Sequence, residues 1–161
     1  MDSFFMSMYA PILRREVFLV CFDRRHRVAL VSVGPAVEPG SMTLPMVRKG
    51  ERESYKAAAG RISVGRIPAA ALRPANLVGR VEASLPIPAG RGRRREARIF
   101  MAHLDREAPQ FPSGGCGESI LWVAHTEVAQ AVASLGIPDL DALIEGYVDG
   151  WIPDGWITLG P

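Results

Sequence analysis

The chain has 161 residues, of which 48% are hydrophobic and 22% charged, and its formal net charge is +2. This length is usual for one domain with one core, and the hydrophobic content excludes a disordered chain. The net charge is too small to indicate a polyanionic partner by itself.

Localisation is predicted from the apolar runs and the cysteines. The longest apolar run, Val17–Phe22, is too short to cross a membrane. The N-terminal segment Met1–Tyr9 carries an acid at Asp2 and no basic region, so it does not resemble a signal peptide. Only two cysteines, Cys21 and Cys116, occur in the chain, which is typical of a reducing compartment. We therefore expect a cytoplasmic protein.

The first predicted elements are two strands. Val17–Phe22 and Val28–Val33 are continuous runs of β-type residues, and the charged segment DRRHR separates them. This pattern predicts a hairpin with a buried face. The proline- and glycine-containing segment Gly34–Gly40 then predicts a loop.

A helix is predicted over Glu53–Arg66. Its apolar residues recur at i, i+3, i+4 and i+7, which places them on one stripe. They are Tyr55, Ala58, Ala59 and Ile62. Gly60 and Gly65 weaken the helix, and Pro68 prevents a long continuation.

The second half of the chain continues with strands and then helices. Strands are predicted at Gly79–Leu85, Glu96–Leu104 and Ile120–Ala124, with a loop over Ala108–Gly117. Thr126 is a candidate cap for a helix that continues through Ser134, and Gly136 and Pro138 prevent its continuation.

The last predicted helix starts after a capping residue, Asp139. Leu140, Leu143, Ile144 and Tyr147 give it an apolar stripe. The aromatic tail that follows carries Trp151 and Trp156 in a duplicated DGWI motif, and we expect it to be docked rather than free. The order of elements favours a mixed α+β arrangement, in which a mixed sheet is flanked by helices.

The segment Leu44–Arg66 resembles the Nudix box. The family's LP pair, first glutamate, alanine pair and arginine have counterparts at Leu44, Pro45, Glu53, Ala58, Ala59 and Arg61. The flanks agree, since two strands precede the box and the strand ILWVA leads into a helix. The resemblance covers about residues 12 to 135 and implies an α/β/α sandwich. We predict one Nudix-like domain over residues 1–161, on which the C-terminal helix and tail, 139–161, are docked.

The departures from the box concern its metal ligands. The glycine pair is replaced by Met46 and Val47, and the three glutamate positions hold Ile62, Gly65 and Arg66. In the family these glutamates lie on one helix face and hold Mg²⁺, which requires oxygen ligands. We therefore expect no cofactor, unless the metal ligands are relocated.

The resemblance also defines candidate site residues. Arg61 and Arg66 are predicted to bind an anionic ligand through their guanidinium groups, with Glu53 and Glu51 beside them at the helix start. For catalysis, the resemblance implies that Glu118 is a general base that could activate water. The residues themselves add two further catalytic candidates. His103 in its predicted strand could transfer a proton, and Cys116 between glycines could be an exposed nucleophile.

The function expected from these residues is binding of a phosphorylated or other anionic small molecule, with magnesium-dependent diphosphate hydrolysis lost or rebuilt. One alternative is a metal-independent enzyme that uses Glu118, His103 or Cys116. Another is a Nudix hydrolase with metal ligands at Glu51, Glu53 and Glu118. The last is a plain interaction domain.

Partners other than a small molecule receive little support from the sequence. Arg91–Arg98 holds five arginines, but it has no interleaved aromatic residues and falls in a predicted hairpin loop. We therefore do not expect nucleic acid as a partner, and the short apolar runs predict no membrane partner. Many Nudix-like domains form dimers, so a homodimer is an open expectation.

Overall fold

A computed structural model describes residues 12–32, 42–85, 93–105 and 119–160. The strands are β1 (Ile12–Phe22), β2 (Arg27–Ser32), β3 (Met42–Thr43), β4 (Met46–Arg48), β5 (Ser63–Val64), β6 (Ile67–Pro68), β7 (Arg73–Leu85), β8 (Arg93–His103), β9 (Ser119–Ala124) and β10 (Gly155–Thr158). The α-helices are α1 (Tyr55–Gly60), α2 (Val128–Ala131) and α3 (Leu140–Asp149). Short 3-10 turns occupy Ala69–Ala71, His125–Glu127 and Ala133–Leu135.

The main sheet is mixed, as the sequence predicts. Its order is β10-β7-β8-β1-β2-β3, with β4 added to β1 and β9 added to β2. The predicted hairpin is confirmed, because β1 and β2 pair antiparallel with Phe22 opposite Val28. β8 pairs parallel with β1, and β10 pairs parallel with β7.

An arginine–arginine–glutamate motif occurs on both of the parallel central strands. It is Arg14–Glu16 in β1 and Arg94–Glu96 in β8, and the register offsets the two copies by one residue. Arg15 therefore faces Glu96 on one side of the sheet, whereas Glu16 lies near Arg95 on the other. This reciprocal pairing opposes a one-residue slip, which would send every side chain to the wrong face.

Two apolar clusters cover the two faces of the sheet. On one face, Phe18, Leu30 and Ile99 pack against helices α2 and α3. On the other face, Val17, Leu19 and Cys21 pack against α1 and the β5–β6 hairpin. Alternate residues of β1 belong to different clusters, as the two-residue period of a strand requires.

The helix predicted over Glu53–Arg66 is much shorter in the structure. Ser54 caps α1 by accepting a hydrogen bond from the amide of Ala57, and the helix ends at Gly60. The following residues turn back as the hairpin β5–β6, with Gly65 at a φ of 61° in its turn. A left-handed residue cannot continue an α-helix, so the prediction was wrong beyond Gly60.

The loop predicted for the arginine-rich segment is also wrong in part. Residues 93–98 belong to β8, and the side chains of residues 94–98 alternate between the two faces of the sheet. Their strand conformation follows from pairing with β1 and β7, which sequence composition does not reveal. Residues 91 and 92, and the predicted loops 34–40 and 108–117, lie outside the described residues.

The C-terminal region supplies helices α2 and α3 to one face of the sheet and then adds β10 at the edge of the sheet. Helical structure begins at His125 rather than after a Thr126 cap, and it consists of three short segments up to Leu135. Asp139 does precede α3, but its carboxylate accepts a hydrogen bond from the amide of Gly160 (2.9 Å) instead of capping the helix. The tail is thereby attached at β10 and at Asp139.

The two tail tryptophans lie on the surface. Trp151 is 62% exposed and Trp156 is 65% exposed, whereas Ile152, Ile157 and Leu159 pack on the core. Neither tryptophan is therefore part of the core, although the tail that carries them is docked. Among the described helices, none is long and apolar enough to cross a membrane.

Candidate functional site

The segment that resembles the Nudix box begins as a sharp bend between β3 and β4. Leu44 and Pro45 are both buried there. The carbonyl of Pro45 accepts a hydrogen bond from the amide of Leu19 (2.9 Å), which fixes the bend against β1. β4 then pairs with residues Glu16–Phe18 of β1 and leads into the turn before α1.

Glu53 and Arg61 form an ion pair that closes the segment around α1. The Nε atom of Arg61 donates to Oε2 of Glu53 (3.0 Å), and Nη2 donates to Oε1 and to the carbonyl of Arg48 (2.9 Å). The amide of Gly50 donates to Oε1 as well (2.9 Å). These hydrogen bonds, led by that from Arg61, lower the pKa of Glu53. Glu53 and Arg61, two residues that match the Nudix box, are therefore paired with each other.

The three positions that hold glutamates in the family do not fit a magnesium ion here. Ile62 is 1% exposed and belongs to the core beneath α1. Gly65 has no side chain, and Arg66 is an exposed cation in the same hairpin turn. None lies on an α-helix, and none supplies a side-chain oxygen, so these residues do not form an Mg²⁺ cage.

Arg61 and Arg66 do not lie on one helix, because the helix predicted to include both ends at Gly60. Arg61 caps the C-terminus of α1, and Arg66 follows Gly65 in the β5–β6 turn. Glu51 is exposed in the turn before the helix. A ligand-binding role for these three residues and for Glu53 stays a prediction.

His103 lies on the opposite face of the sheet from α1. It occupies the end of β8, where its Nε2 atom is hydrogen-bonded to the hydroxyl of Tyr147 in α3. Its ring stacks on that of Phe22, and the two ring centres lie 5.4 Å apart. Burial lowers the pKa of His103, and the positive charge of Arg73 lowers it further. His103 is thus separated by the sheet from Arg61 and Arg66.

The other candidate catalytic residues, Glu118 and Cys116, lie outside the described residues, so their roles stay predictions. Cys21 is buried, and its burial together with the nearby Asp23 carboxylate raises the pKa of the thiol to about 12. A thiol with so high a pKa is protonated and unreactive at neutral pH. Among the described residues, no group of three or more histidine, cysteine, aspartate or glutamate side chains is placed to hold a metal.

Two polar clusters were not found by sequence reasoning. Arg95 donates through Nε to Oε1 of Glu16 (2.8 Å) and through Nη1 to the carbonyl of Gly136 (3.2 Å) on the α2 and α3 face. On the other face, the Tyr55 hydroxyl donates to Glu96 (2.9 Å). Burial and the neighbouring Glu96 carboxylate raise the pKa of Tyr55 to about 12. The repeated arginine–arginine–glutamate motif is the sequence signal that could have indicated both clusters.

Comparison with known proteins identifies the fold. No family model matches the sequence, and no curated protein sequence is significantly similar to it. The structure is similar to an Ap4A hydrolase from C. elegans, with 13% identity, a TM-score of 0.59, and coverage of 86% of this chain and 97% of that one. It is also similar to the dihydroneopterin triphosphate pyrophosphohydrolase of E. coli, with 15% identity, a TM-score of 0.57, and coverage of 86% and 99%.

A MutT protein from Bacillus halodurans is similar as well, with 14% identity, a TM-score of 0.54, and coverage of 90% of this chain and 86% of that one. These are Nudix hydrolases, and the chain therefore has the Nudix fold. At such low identity the likeness defines the fold alone, because one fold supports many functions.

Proposed function

We propose that this Nudix-fold protein binds a phosphorylated or otherwise anionic small molecule, without the magnesium-dependent diphosphate hydrolysis implied by a complete Nudix box. The observation that carries the proposal is the content of the three glutamate positions. A buried isoleucine, a glycine and an exposed arginine occupy them, and the helix that would align them ends before they begin. The change therefore involves the backbone as well as the side chains.

The positive charges of Arg61 and Arg66 support an anionic ligand. Arg66 replaces a carboxylate with a cation, so the local charge favours phosphate rather than a metal ion. Arg61 is held in place by Glu53 and the Arg48 carbonyl, and its Nη1 group has no hydrogen bond within the described residues. Two fold neighbours are named for phosphorylated compounds, Ap4A and dihydroneopterin triphosphate, which gives the first compounds to test.

Relocation of the metal to Glu53 is not favoured by its surroundings. Both carboxylate oxygens already accept hydrogen bonds from Arg61, and Oε1 also accepts one from Gly50. A divalent cation there would have to displace or approach a guanidinium group, at considerable electrostatic cost.

A thermal-shift screen tests the proposal. Nucleotides, dinucleoside polyphosphates, sugar nucleotides and prenyl diphosphates are added with Mg²⁺ or with EDTA. A ligand at about 100 times its Kd adds about 2.7 kcal/mol to the free energy of unfolding. We expect at least one phosphorylated compound to raise the melting temperature equally with and without Mg²⁺. Stabilisation that requires Mg²⁺, or turnover that EDTA abolishes, would restore the hydrolase interpretation.

Two arginine variants locate the ligand. Arg66→Ala removes an exposed cation from the hairpin turn and should reduce the ligand-induced shift while leaving the ligand-free melting temperature unchanged. Arg24→Ala is the matched control, because Arg24 is an exposed arginine in the β1–β2 turn, remote in sequence from the box. Equal shifts in the two variants would exclude Arg66 from the binding site.

A further inference from the structure

Part of the sheet face beside α1 carries charged and aromatic side chains instead of an apolar cluster. Helix α1 and the β5–β6 hairpin cover Val17, Leu19 and Cys21 at one end of this face. At the other end, alternate positions of β1, β7, β8 and β10 carry side chains that are partly or fully exposed. We call these the arginine face, and they are Arg15, Arg80, Glu82, Arg94, Glu96, Arg98 and Trp156.

The arginine face is positively charged. Its four arginines outnumber its two glutamates, so the formal charge of this face is +2. The formal net charge of the whole chain has the same value. Glu96 pairs with Arg15 (3.5 Å), and Glu82 is shared by Arg80 (3.1 Å) and Arg98 (3.7 Å). Arg94 is exposed and has no ion pair within the described residues. Charge complementarity therefore favours an anionic partner over this face.

Aromatic rings are interleaved with these arginines. The guanidinium carbon of Arg80 lies 4.5 Å from the ring centre of Trp156, and that of Arg98 lies 4.3 Å from the ring centre of Tyr55. Trp156 is nevertheless 65% exposed, so the side of its ring turned away from Arg80 can stack with another planar group. The rings come from β10 and α1, far in sequence from the arginines of β8.

We infer that the arginine face binds single-stranded nucleic acid, with an unpaired base stacked on Trp156 and backbone phosphates near Arg80, Arg94 and Arg15. Stacking on an aromatic ring requires the face of a base, which a duplex does not offer. From β10 to β1 the face spans three strand spacings, about 14 Å, which is room for more than one nucleotide. The inference does not depend on the proposed function, because it uses none of the box residues Arg61 and Arg66.

This inference revises the expectation drawn from the arginine-rich segment. The sequence alone favours no nucleic-acid partner, because the segment has no interleaved aromatic residues and its composition predicts a loop. Residues 93–98 instead form part of β8, and the sheet brings Trp156 and the side chain of Arg80 to the same face. Basic and aromatic residues are thus combined by tertiary structure, which is the arrangement that binds single strands.

Fluorescence anisotropy with a fluorescein-labelled RNA of mixed sequence tests the inference, using a single strand of about 12 nucleotides, within the usual site sizes. We expect binding that weakens as salt rises from about 50 to 200 mM, because phosphate contacts release counterions. Trp156→Ala should weaken binding by about tenfold, the effect of losing one base stack. Trp156→Phe retains a ring and should restore most of the affinity.

Trp151→Ala is the matched control. Trp151 is as exposed as Trp156 but lies against Gly146 of α3, which packs on the opposite face of the sheet. Circular dichroism checks that each variant is folded. Equal affinities for the Trp156→Ala and Trp151→Ala variants would overturn the inference, as would the absence of binding at low salt. Displacement of the RNA by ATP at equal nucleotide concentration, or tighter binding of duplex RNA, would also overturn it.

Discussion

The Arg95 guanidinium and the Glu16 carboxylate form a buried ion pair between β8 and β1. The two residues are 8% and 4% exposed, and the distance from Nε to Oε1 is 2.8 Å. Arg14 adds a second contact to Glu16 (3.2 Å), and Arg95 also donates to the Gly136 carbonyl (3.2 Å). The pair therefore joins the two central parallel strands to the turn before α3.

Breaking this ion pair should be costly. Glu16→Ala leaves the buried Arg95 charge without a carboxylate, and we expect it to lower the free energy of unfolding by about 3–5 kcal/mol. Arg95→Ala leaves Glu16 paired with Arg14 and should therefore cost less than Glu16→Ala. Urea denaturation followed by circular dichroism measures the loss. The double variant should lose less than the sum of the single variants, because no orphaned charge remains. Arg94→Ala, on the exposed face of β8, is the control and should change stability by less than about 0.5 kcal/mol.

Gly65 and Gly60 should respond to alanine in opposite ways. Gly65 has a φ of 61°, and a β-carbon there would overlap Cδ1 of Ile120. We expect Gly65→Ala to destabilise the protein by about 1–3 kcal/mol through backbone strain and crowding. No atom lies within 4 Å of a β-carbon placed at Gly60, in the last turn of α1, so Gly60→Ala should be stabilising by up to about 1 kcal/mol. Thermal or urea unfolding compares the two, and a Gly65→Ala variant as stable as Gly60→Ala would contradict the hairpin geometry.

Reintroducing the family's glutamates should not create a magnesium site. Ile62→Glu places a carboxylate in the core beneath α1, and we expect a destabilised protein rather than a metal ligand. Arg66→Glu changes an exposed residue and should be tolerated. Titration calorimetry of the Arg66→Glu and Gly65→Glu/Arg66→Glu proteins with MgCl₂ should show no stoichiometric binding, because the two residues lie in a turn. Stoichiometric Mg²⁺ binding by either protein would show that the site needs only its carboxylates.

The pH dependence of stability should contain a contribution from His103. Burial and the charge of Arg73 hold the pKa of His103 below its usual 6.5 in the folded protein, with Asp105 acting in the opposite direction. The unfolded chain therefore takes up this proton more readily than the folded protein. The His103 contribution is complete above the unfolded pKa of 6.5 and is lost as the pH falls towards the folded pKa.

Melting temperatures measured at intervals between about pH 8 and pH 5 test this linkage. The wild-type protein should lose more stability than His103→Gln over the acidic half of the range, because the variant lacks the titrating group. Parallel profiles for the two proteins would show that the His103 environment does not favour the neutral imidazole.

The strands were easier to predict than the helix of the box. Val17–Phe22 and Val28–Val33 have the continuous β-type composition of buried strands. The first lies within β1, which already begins at Ile12, and the second overlaps β2. The stripe through Ala58, Ala59 and Ile62 does mark buried residues, but the helix ends before Ile62. Buried residues in a short helix and in the following turn can share one apolar surface, so periodicity alone does not define where the helix ends.

The short elements and the edge strand could not be predicted from local sequence. β3 and β4 are two and three residues long and exist because β2 and β1 provide partners for them. The first DGWI copy begins at Asp149, the last residue of α3, and continues beyond the helix, whereas Gly155–Ile157 of the second copy belong to β10. Identical sequences thus adopt different conformations. Their environments, not their propensities, decide the outcome.

The sequence by itself determined the mixed sheet, the hairpin β1–β2 and the resemblance of Leu44–Arg66 to a Nudix box whose glutamate positions hold Ile62, Gly65 and Arg66. These features depend on residue identity and on local hydrophobic periodicity, which a single sequence contains. Only the tertiary structure decided that the box helix ends at Gly60, that Glu16 and Arg95 pair, and that Trp156 shares a face with Arg80 and Arg94. Such relationships depend on strand order and register, because the chemistry of a surface is set by residues that are distant in the chain.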